Sequence, residues 1–316
     1  RDTLHVQLRR EGITGYGEGA GIVRYQQNAQ DGLKALEGIR GFLETADPRA
    51  FEKVLKEVDR RLPGQRAAVS AMDLAMLDWV CKKEGVPLYR HLGLDPADAC
   101  VTTMSIGIDT PELTRLKVKE AEAFPFLKIK VGLKSDEATI DAVRSVTKKP
   151  LRVDANEGWT SKEEAVAKIN WLESQGVQFI EQPLPAAMLE EAKWVRSRVH
   201  IPIFADEAVH SADEIPKLRE GFDGIVVKLD KAGGVVEALR QIHVARALGM
   251  KVMIGCMVSS SCTITAAAHL TPLADFADLD GHLLIANDPY VGVKVAEGKV
   301  LLPTAPGLGV KLVAAD

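Results

Sequence analysis

Five charged residues recur along this chain at nearly constant spacing, each at or beside the end of a short apolar run. The runs are Leu127-Lys128-Ile129-Lys130, Leu151-Arg152-Val153-Asp154, Phe179-Ile180-Glu181, Ile203-Phe204-Ala205-Asp206 and Ile225-Val226-Val227-Lys228. From Lys130 to Lys228 the steps are 24, 27, 25 and 22 residues. That is the length of one strand, one helix and two short loops. Charges at the same point of successive strand–helix units gather on one face of one sheet. Three carboxylates there repel one another unless a cation lies among them. Two lysines flanking that cation have the make-up of a proton-transfer site.

The rest of the chain fits this frame. Strands are expected at 101–107, 126–131, 151–154, 178–181, 202–206, 224–228, 251–255 and 275–279, with helical stretches between them. Two of those stretches open on capping boxes, Thr160-Ser161-Lys162-Glu163 and Ser211-Ala212-Asp213-Glu214. Eight short strands with helical crossovers fit a closed parallel barrel better than an open sheet. Before the barrel, residues 3–18 read as a hairpin or meander broken at Glu11-Gly12 and at Gly15-Tyr16-Gly17. Helical periodicity follows over 30–62 and 64–84, the second ending at Lys82, Lys83 and Gly85. After Val291 the pattern returns to short strands and turns. The expected fold is α/β: a modified TIM barrel, (β/α)7β, over 101–290. An α+β capping domain occupies 1–100, and 291–316 returns to it.

Composition narrows the function classes. The net charge is −4 over 316 residues, with no basic cluster interleaved with aromatics, which argues against nucleic acid. No apolar run reaches the length of a membrane span and no signal peptide is read, so no membrane partner is expected. Cys81, Cys100, Cys256 and Cys262 lack metal-ligand spacing and read as reduced thiols of a cytoplasmic protein. Gly15, Gly17, Gly19 and Gly21 follow a hairpin rather than opening a helix after a parallel strand, against a nucleotide loop. They read instead as a mobile flap over the barrel mouth.

Parallel barrels carry their chemistry at the C-terminal ends of their strands, where Asp154, Glu181 and Asp206 are expected. Three such carboxylates, with waters and a substrate oxygen, make an octahedral oxygen site that suits Mg²⁺. With Lys128-x-Lys130, Asp154-Ala155-Asn156, Glu181-Gln182-Pro183, Asp206-Glu207 and Lys228, the chain resembles the enolase superfamily, muconate-lactonizing subgroup. Gly15-Tyr16-Gly17-Glu18, the pattern Ala71-Met72-Asp73-x-Ala75-x-x-Asp78 and the Pro-Gly-Leu-Gly ending carry the resemblance across nearly the whole chain. Lysine bases acting with Mg²⁺ belong to that superfamily.

The resemblance implies an isomerase that moves a proton at a carbon next to a carboxylate. Lys130 and Lys228 would serve opposite faces of the substrate, with Lys128 beside its carboxylate. Burial and the neighbouring cation are expected to depress a lysine pKa and give a neutral amine base. At the eighth strand, Phe276-Ala277-Asp278-Leu279-Asp280 resembles the dipeptide epimerases, in which such a pair binds the substrate's N-terminal ammonium. Side chains at i and i+2 of a strand share a face, so Asp278 and Asp280 could hold one ammonium. A strand-end turn acid followed by a helix N-cap acid would look the same in sequence.

Thr103 in Thr-Met-Ser-Ile-Gly, with Cys256 and Met257 after strand seven, matches the same family and is expected along the pocket. Arg24 could clamp a side-chain carboxylate, or be a solvent-facing loop arginine. Asn156 and Glu207 are candidates for orienting the metal acids. No role is read for His282. The implied substrate is an Ala-Glu-like dipeptide from peptidoglycan turnover, and a homo-oligomer is common in such barrels. Alternative reactions of the same chemistry are N-acylamino-acid racemisation, o-succinylbenzoate formation and cycloisomerisation. A non-catalytic barrel is the reading of a different class, and relics of that kind usually lose a base or a metal ligand.

Overall fold

The computed structural model describes residues 2–313. It opens with an antiparallel hairpin, β1 (Thr3–Arg10) and β2 (Ile13–Ala20), turned at Glu11 and Gly12, both at positive φ. The expected break at Gly15–Gly17 does not occur. Those glycines lie within β2, on the face that meets the helix α4 (Arg66–Glu84). A Cβ on Gly15, Gly17 or Gly19 would lie 2.1, 2.0 or 1.9 Å from the carbonyl oxygens of Ala75, Ala71 and Ala67. Two strand residues advance about 6.6 Å and four helix residues about 6.0 Å, so the two repeats stay in step. The run is therefore a close-packing seam. The flap expected from it is absent at these positions, because a strand pressed onto a helix backbone has no room to move.

The segment expected as one helix over 30–62 is divided into α1 (Ala29–Gly38), α2 (Arg40–Thr45) and α3 (Phe51–Arg61). Asp47 and Pro48 open a 3-10 turn before α3, which ends the preceding helical run. α4 is buried from Ala67 to Cys81 on all sides, where the sequence showed one stripe. It serves two layers, hairpin and barrel.

The barrel strands are β3 (Met104–Ile106), β4 (Leu127–Lys130), β5 (Leu151–Asp154), β6 (Val177–Glu181), β7 (Ile203–Ala205), β8 (Gly224–Val227), β9 (Lys251–Ile254) and β10 (Phe276–Ala277). All pair in parallel, in sequence order. Between β10 and β3 the described residues form no backbone ladder, because β10 is only two residues long. Side chains close the seam instead. Leu279 N–H donates to Thr102 Oγ1 at 2.7 Å, Thr103 Oγ1 donates to Asp278 Oδ1 at 2.6 Å, and Ser105 N–H donates to Asp280 Oδ2 at 2.6 Å.

Buried carboxylates stitch the hairpin and α4 to the barrel. Asp73 accepts from the N–H groups of Val235 and Val236 at 3.0 Å each, capping the helix Val235–Ala247. Asp78 accepts from Tyr16 and Leu308, at 2.8 and 2.7 Å. Glu18 accepts from Ser260 N–H at 3.0 Å and Ser260 Oγ at 2.6 Å. The Asp73-x-x-x-x-Asp78 pattern and the Glu ending Gly-Tyr-Gly-Glu thus have structural reasons. The C-terminal segment pairs β11 (Tyr290–Val291) with β14 (Lys311–Leu312), and β12 (Lys294–Ala296) with β13 (Lys299–Leu301). It touches the end of α4 through Gly307, which bonds to Val86 and Leu88. Residues 314–316 of the expected tail lie outside the described residues.

Candidate active site

Alternate residues of the barrel strands point inward. Toward the N-terminal ends, Phe179, Phe204, Val226 and Met253 form a separate buried cluster with Phe276. The Arg152 guanidinium lies within it, 4.6 Å from the Phe126 ring and 4.9 Å from that of Phe276. Two residues further along stand Asp154 and Glu181, which end β5 and β6, and Asp206 and Lys228, just past β7 and β8.

Asp154, Glu181 and Asp206 are fully buried, with one ligand oxygen each lying within 4.8 Å of the others. Among the described residues neither oxygen of Glu181 makes a hydrogen bond; Lys128 Nζ comes to 2.8 Å of Oε2 as an ion pair without hydrogen-bond alignment. Burial, with Asp154 beside it, pushes the Glu181 carboxyl up to about 8. Burial also opposes ionisation of Asp154, but Lys130 and Lys128 outweigh it and hold that carboxyl well down. An orphaned buried carboxylate among two others, all oxygen donors, fits a hard divalent cation.

Three lysines surround this cluster. Lys130 Nζ donates to Asp154 Oδ2 at 2.6 Å and Asn156 Oδ1 at 2.9 Å. Lys228 Nζ donates to Asp206 Oδ2 at 2.6 Å. Lys128 Nζ reaches Asp278 Oδ2 at 2.7 Å. Burial alone would depress Lys228, yet Asp206 and Glu181 hold it above the ordinary lysine value. The cause is the nearby carboxylates, whereas the depression expected from sequence counts on a cation set among them.

A fourth lysine escaped the sequence reading. Lys231 is fully buried; its Nζ donates to Asp206 Oδ1 at 2.6 Å, to the Asp206 carbonyl, and to Val226 O at 3.3 Å. A lysine is almost never buried unless paired. Its position three residues after Lys228, one helical turn on along the same side, was the available signal. Gln182 was also missed: its Oε1 accepts from the N–H groups of Asp206 and Ala208, fixing the loop after β7.

A cavity of about 400 Å³ opens above the cluster, lined in part by Lys128, Lys130, Asp206, Lys228, Asp278 and Asp280. Cys256 and Met257 lie on its wall, as does Ser105. Thr103 is buried and stands behind Asp278. Asp280 occupies the N-cap position of the turn Gly281–Leu284 but makes no side-chain cap bond there; its carboxylate goes to Ser105. Burial, and then the charge of Asp278, raise Asp280 to about 6. Asp278 is held low by Lys128 against its own burial.

Over the mouth, the segment Ile22–Tyr25 supplies the remaining wall. Arg24 Nη1 donates to Glu157 and lies 3.2 Å from Glu207 Oε1. Asn156 Nδ2 also donates to Glu207 Oε1, at 3.1 Å, so Asn156 bridges Lys130 and Glu207. His282 is partly buried, its Nδ1 without a partner, and is not on the cavity wall.

Comparison with known proteins places this geometry. Residues 2–93 match the model for the mandelate racemase / muconate lactonizing enzyme N-terminal domain, and residues 113–315 that for the enolase C-terminal domain-like family. The chain is 41% identical to an L-Ala-D/L-Glu epimerase of Bacteroides thetaiotaomicron, covering 97% of this chain and 80% of that protein. A substrate-liganded L-Ala-D/L-Glu epimerase from Bacillus subtilis superposes with a TM-score of 0.93 at 28% identity, over 99% and 92% of the two chains. A dipeptide epimerase from Enterococcus faecalis, complexed with Mg and L-Leu-L-Tyr, gives 0.91 at 33% identity, over 98% and 91%.

Proposed function

The chain belongs to the mandelate racemase / muconate lactonizing family of the enolase superfamily, and we propose that it is a Mg²⁺-dependent dipeptide epimerase. The carrying observation is the buried acid triad with lysines on both sides and a second acid pair on the same cavity. In this reading Asp154, Glu181 and Asp206 hold the cation. When bound, Mg²⁺ would supply positive charge where the substrate carboxylate gains negative charge on losing the α-proton, and would offset the acids that hold Lys128 and Lys228 charged.

The chain's own groups do the rest. Lys130 ends β4 and Lys228 follows β8, four strands apart in an eight-stranded barrel, so they approach a central substrate from opposite sides. The neutral lysine takes the α-proton of the C-terminal residue from one face. The charged one returns a proton to the other face, inverting the centre. Lys128, buried between the acid triad and Asp278, carries a fixed positive charge for the substrate carboxylate. The Phe179, Phe204 and Phe276 floor excludes water from beneath.

Asp278 and Asp280 give the substrate's ammonium its counter-charge, fixed in place by Thr103 and Ser105. N-acylated amino acids, o-succinylbenzoate precursors and muconates bring no such ammonium, which disfavours the alternative reactions. Arg24 is the lining cation that does not stand over the triad, and it supports an acidic second side chain, as in Ala-Glu. An origin of that dipeptide in peptidoglycan turnover, a cytoplasmic location consistent with four free cysteines, and a homo-oligomeric state complete the proposal. No helix among the described residues is long and apolar enough to cross a membrane. The division into a capping unit (1–100 with 291–316) and a barrel (101–290) belongs to the same reading.

The test is α-proton exchange in D₂O with L-Ala-L-Glu, with and without Mg²⁺, beside the N-acetylated dipeptide. Metal-dependent exchange confined to the free dipeptide is expected. Faster exchange of the acylated form would remove the role given to the acid pair.

A further inference from the structure

Arg24 lines the cavity, but its charge is already engaged. Nη1 donates to Glu157 Oε2 and approaches Glu207 Oε1, while Nε and Nη2 make no hydrogen bond among the described residues. Glu157 itself is not on the cavity wall. Its second oxygen, Oε1, accepts from the Ala186 N–H at 2.7 Å, and its own N–H donates to Gln182 O at 2.9 Å. Its backbone is held at φ +65, following Asn156 at φ +44, a conformation non-glycine residues seldom take. The loop after β6 therefore fixes the Glu157 carboxylate from behind. It meets the cavity wall through Arg24.

We propose that Glu157 is a specificity-determining positioning residue, competing with the substrate's second side chain for Arg24. A substrate carboxylate entering beneath Ile22–Tyr25 would have to share or displace the guanidinium's existing partner. A neutral side chain would leave the Arg24–Glu157 pair intact. Glu157 thereby sets how steeply the enzyme prefers an acidic C-terminal residue, keeping neutral dipeptides within its range. The inference rests on the dipeptide reading above and on Arg24 meeting that side chain. Arg24 is 43% exposed, so the pair is screened by water and the competition is moderate. Exposed ion pairs shift an equilibrium by a factor of about 1.5 to 5.

The experiment compares kcat/KM for L-Ala-L-Glu and the near-isosteric L-Ala-L-Gln in the wild type, Glu157→Gln, Arg24→Gln and the double variant. Glutamine keeps the oxygen that accepts from Ala186, so the loop stays in place. Glu157→Gln should raise the Glu/Gln ratio about 1.5- to 5-fold through KM for L-Ala-L-Glu, with kcat for L-Ala-L-Gln unchanged. The gain should vanish in the Arg24→Gln background. If Arg24→Gln lowers the ratio but Glu157→Gln leaves it unchanged or reduces it, the competition is overturned while Arg24's contact with substrate stands. If Arg24→Gln leaves the wild-type ratio unaltered, Arg24 does not meet the side chain and the proposal falls with it. If neither dipeptide exchanges its α-proton, the dipeptide reading has itself failed.

Discussion

The floor and the mouth of the barrel are built from the same strands, two residues apart, and differ almost completely in chemistry. Phe179 and Glu181 share β6; Phe204 precedes Asp206, Val226 precedes Lys228, and Arg152 precedes Asp154. Below, three phenylalanine rings pack with centroids 4.6 to 5.7 Å apart, and a buried charge, Arg152, is spread against aromatic faces. Burial pulls Arg152 down to about 10. Above, acids and lysines are just as buried and hold one another's charges by ion pairs. Burial by itself therefore does not decide whether a barrel interior is apolar or ionic. What decides is whether each charge has a partner of opposite sign within reach. The floor keeps the core together; the mouth keeps a carboxylate, Glu181, without a hydrogen bond among the described residues and so open to a ligand.

The largest effect that would break the comparison is at Glu181. Glu181→Gln keeps the shape and removes an ionisable oxygen donor that makes no hydrogen bond among the described residues. Turnover should fall on the order of a thousandfold or more, since the cation's charge stabilisation is worth several kcal/mol. Chemical denaturation without metal should show a protein no less stable than the wild type. Substantial Mg²⁺-dependent activity in this variant would place the metal elsewhere.

The opposite dissociation is expected from the floor. Phe204→Ala should cost about 3–5 kcal/mol of stability, as aromatic truncations in cores do. Turnover per folded molecule, measured well below the lowered Tm, should stay within an order of magnitude. If instead kcat collapses in a protein that remains folded, the floor shapes the site as well as supporting it.

Lys231 tests the partner rule directly. Lys231→Met leaves Asp206 with Lys228 alone and should destabilise the protein by about 3 kcal/mol in chelator, the lower end for breaking a buried pair. Saturating Mg²⁺ should recover part of that loss by supplying charge to Asp206. A loss of equal size with and without Mg²⁺ would mean that Lys231 serves packing alone.

The smallest effect is a pH limb. Asp280 is raised to about 6, so its carboxyl is protonated below that value and ionised above it. An ammonium needs the ionised form. For a free dipeptide, kcat/KM should therefore decline about tenfold per pH unit below pH 6, and Asp280→Asn should remove the limb while lowering the plateau. The sign for stability is opposite. Because the folded pKa lies above the unfolded one, Asp280 favours the folded state most at low pH, and that contribution is lost as pH rises toward 6.

Much of this site could be read from the chain before any coordinates. Charged positions at steps of 22 to 27 residues made the strand–helix repeat and its charged face visible, because the strand end fixes direction as well as position. Arg152 looked like any polar residue between two apolar ones, and nothing in its spacing revealed an aromatic cage drawn from other strands. The glycines of β2 were legible as unusual but were misread as freedom. Their cause, three helix carbonyls at matching intervals, lies in α4, 48 to 60 residues away. Lys231 and Glu157 went unnoticed for a related reason. Each acts through another side chain, Asp206 or Arg24, brought to it by a different loop.

By itself, then, the sequence determined the repeat, the parallel barrel, and the triad with its flanking lysines, all set by local periodicity and strand-end position; the acid pair was legible too, although the strand expected to carry it stops at Ala277, before both acids. Only the tertiary structure decided how the barrel closes without a ladder, which lysine secures Asp206, and what holds Arg24. Those depend on distances between residues of different units, and such distances are fixed by packing against β2, α4 and the loops rather than by any pattern along the chain.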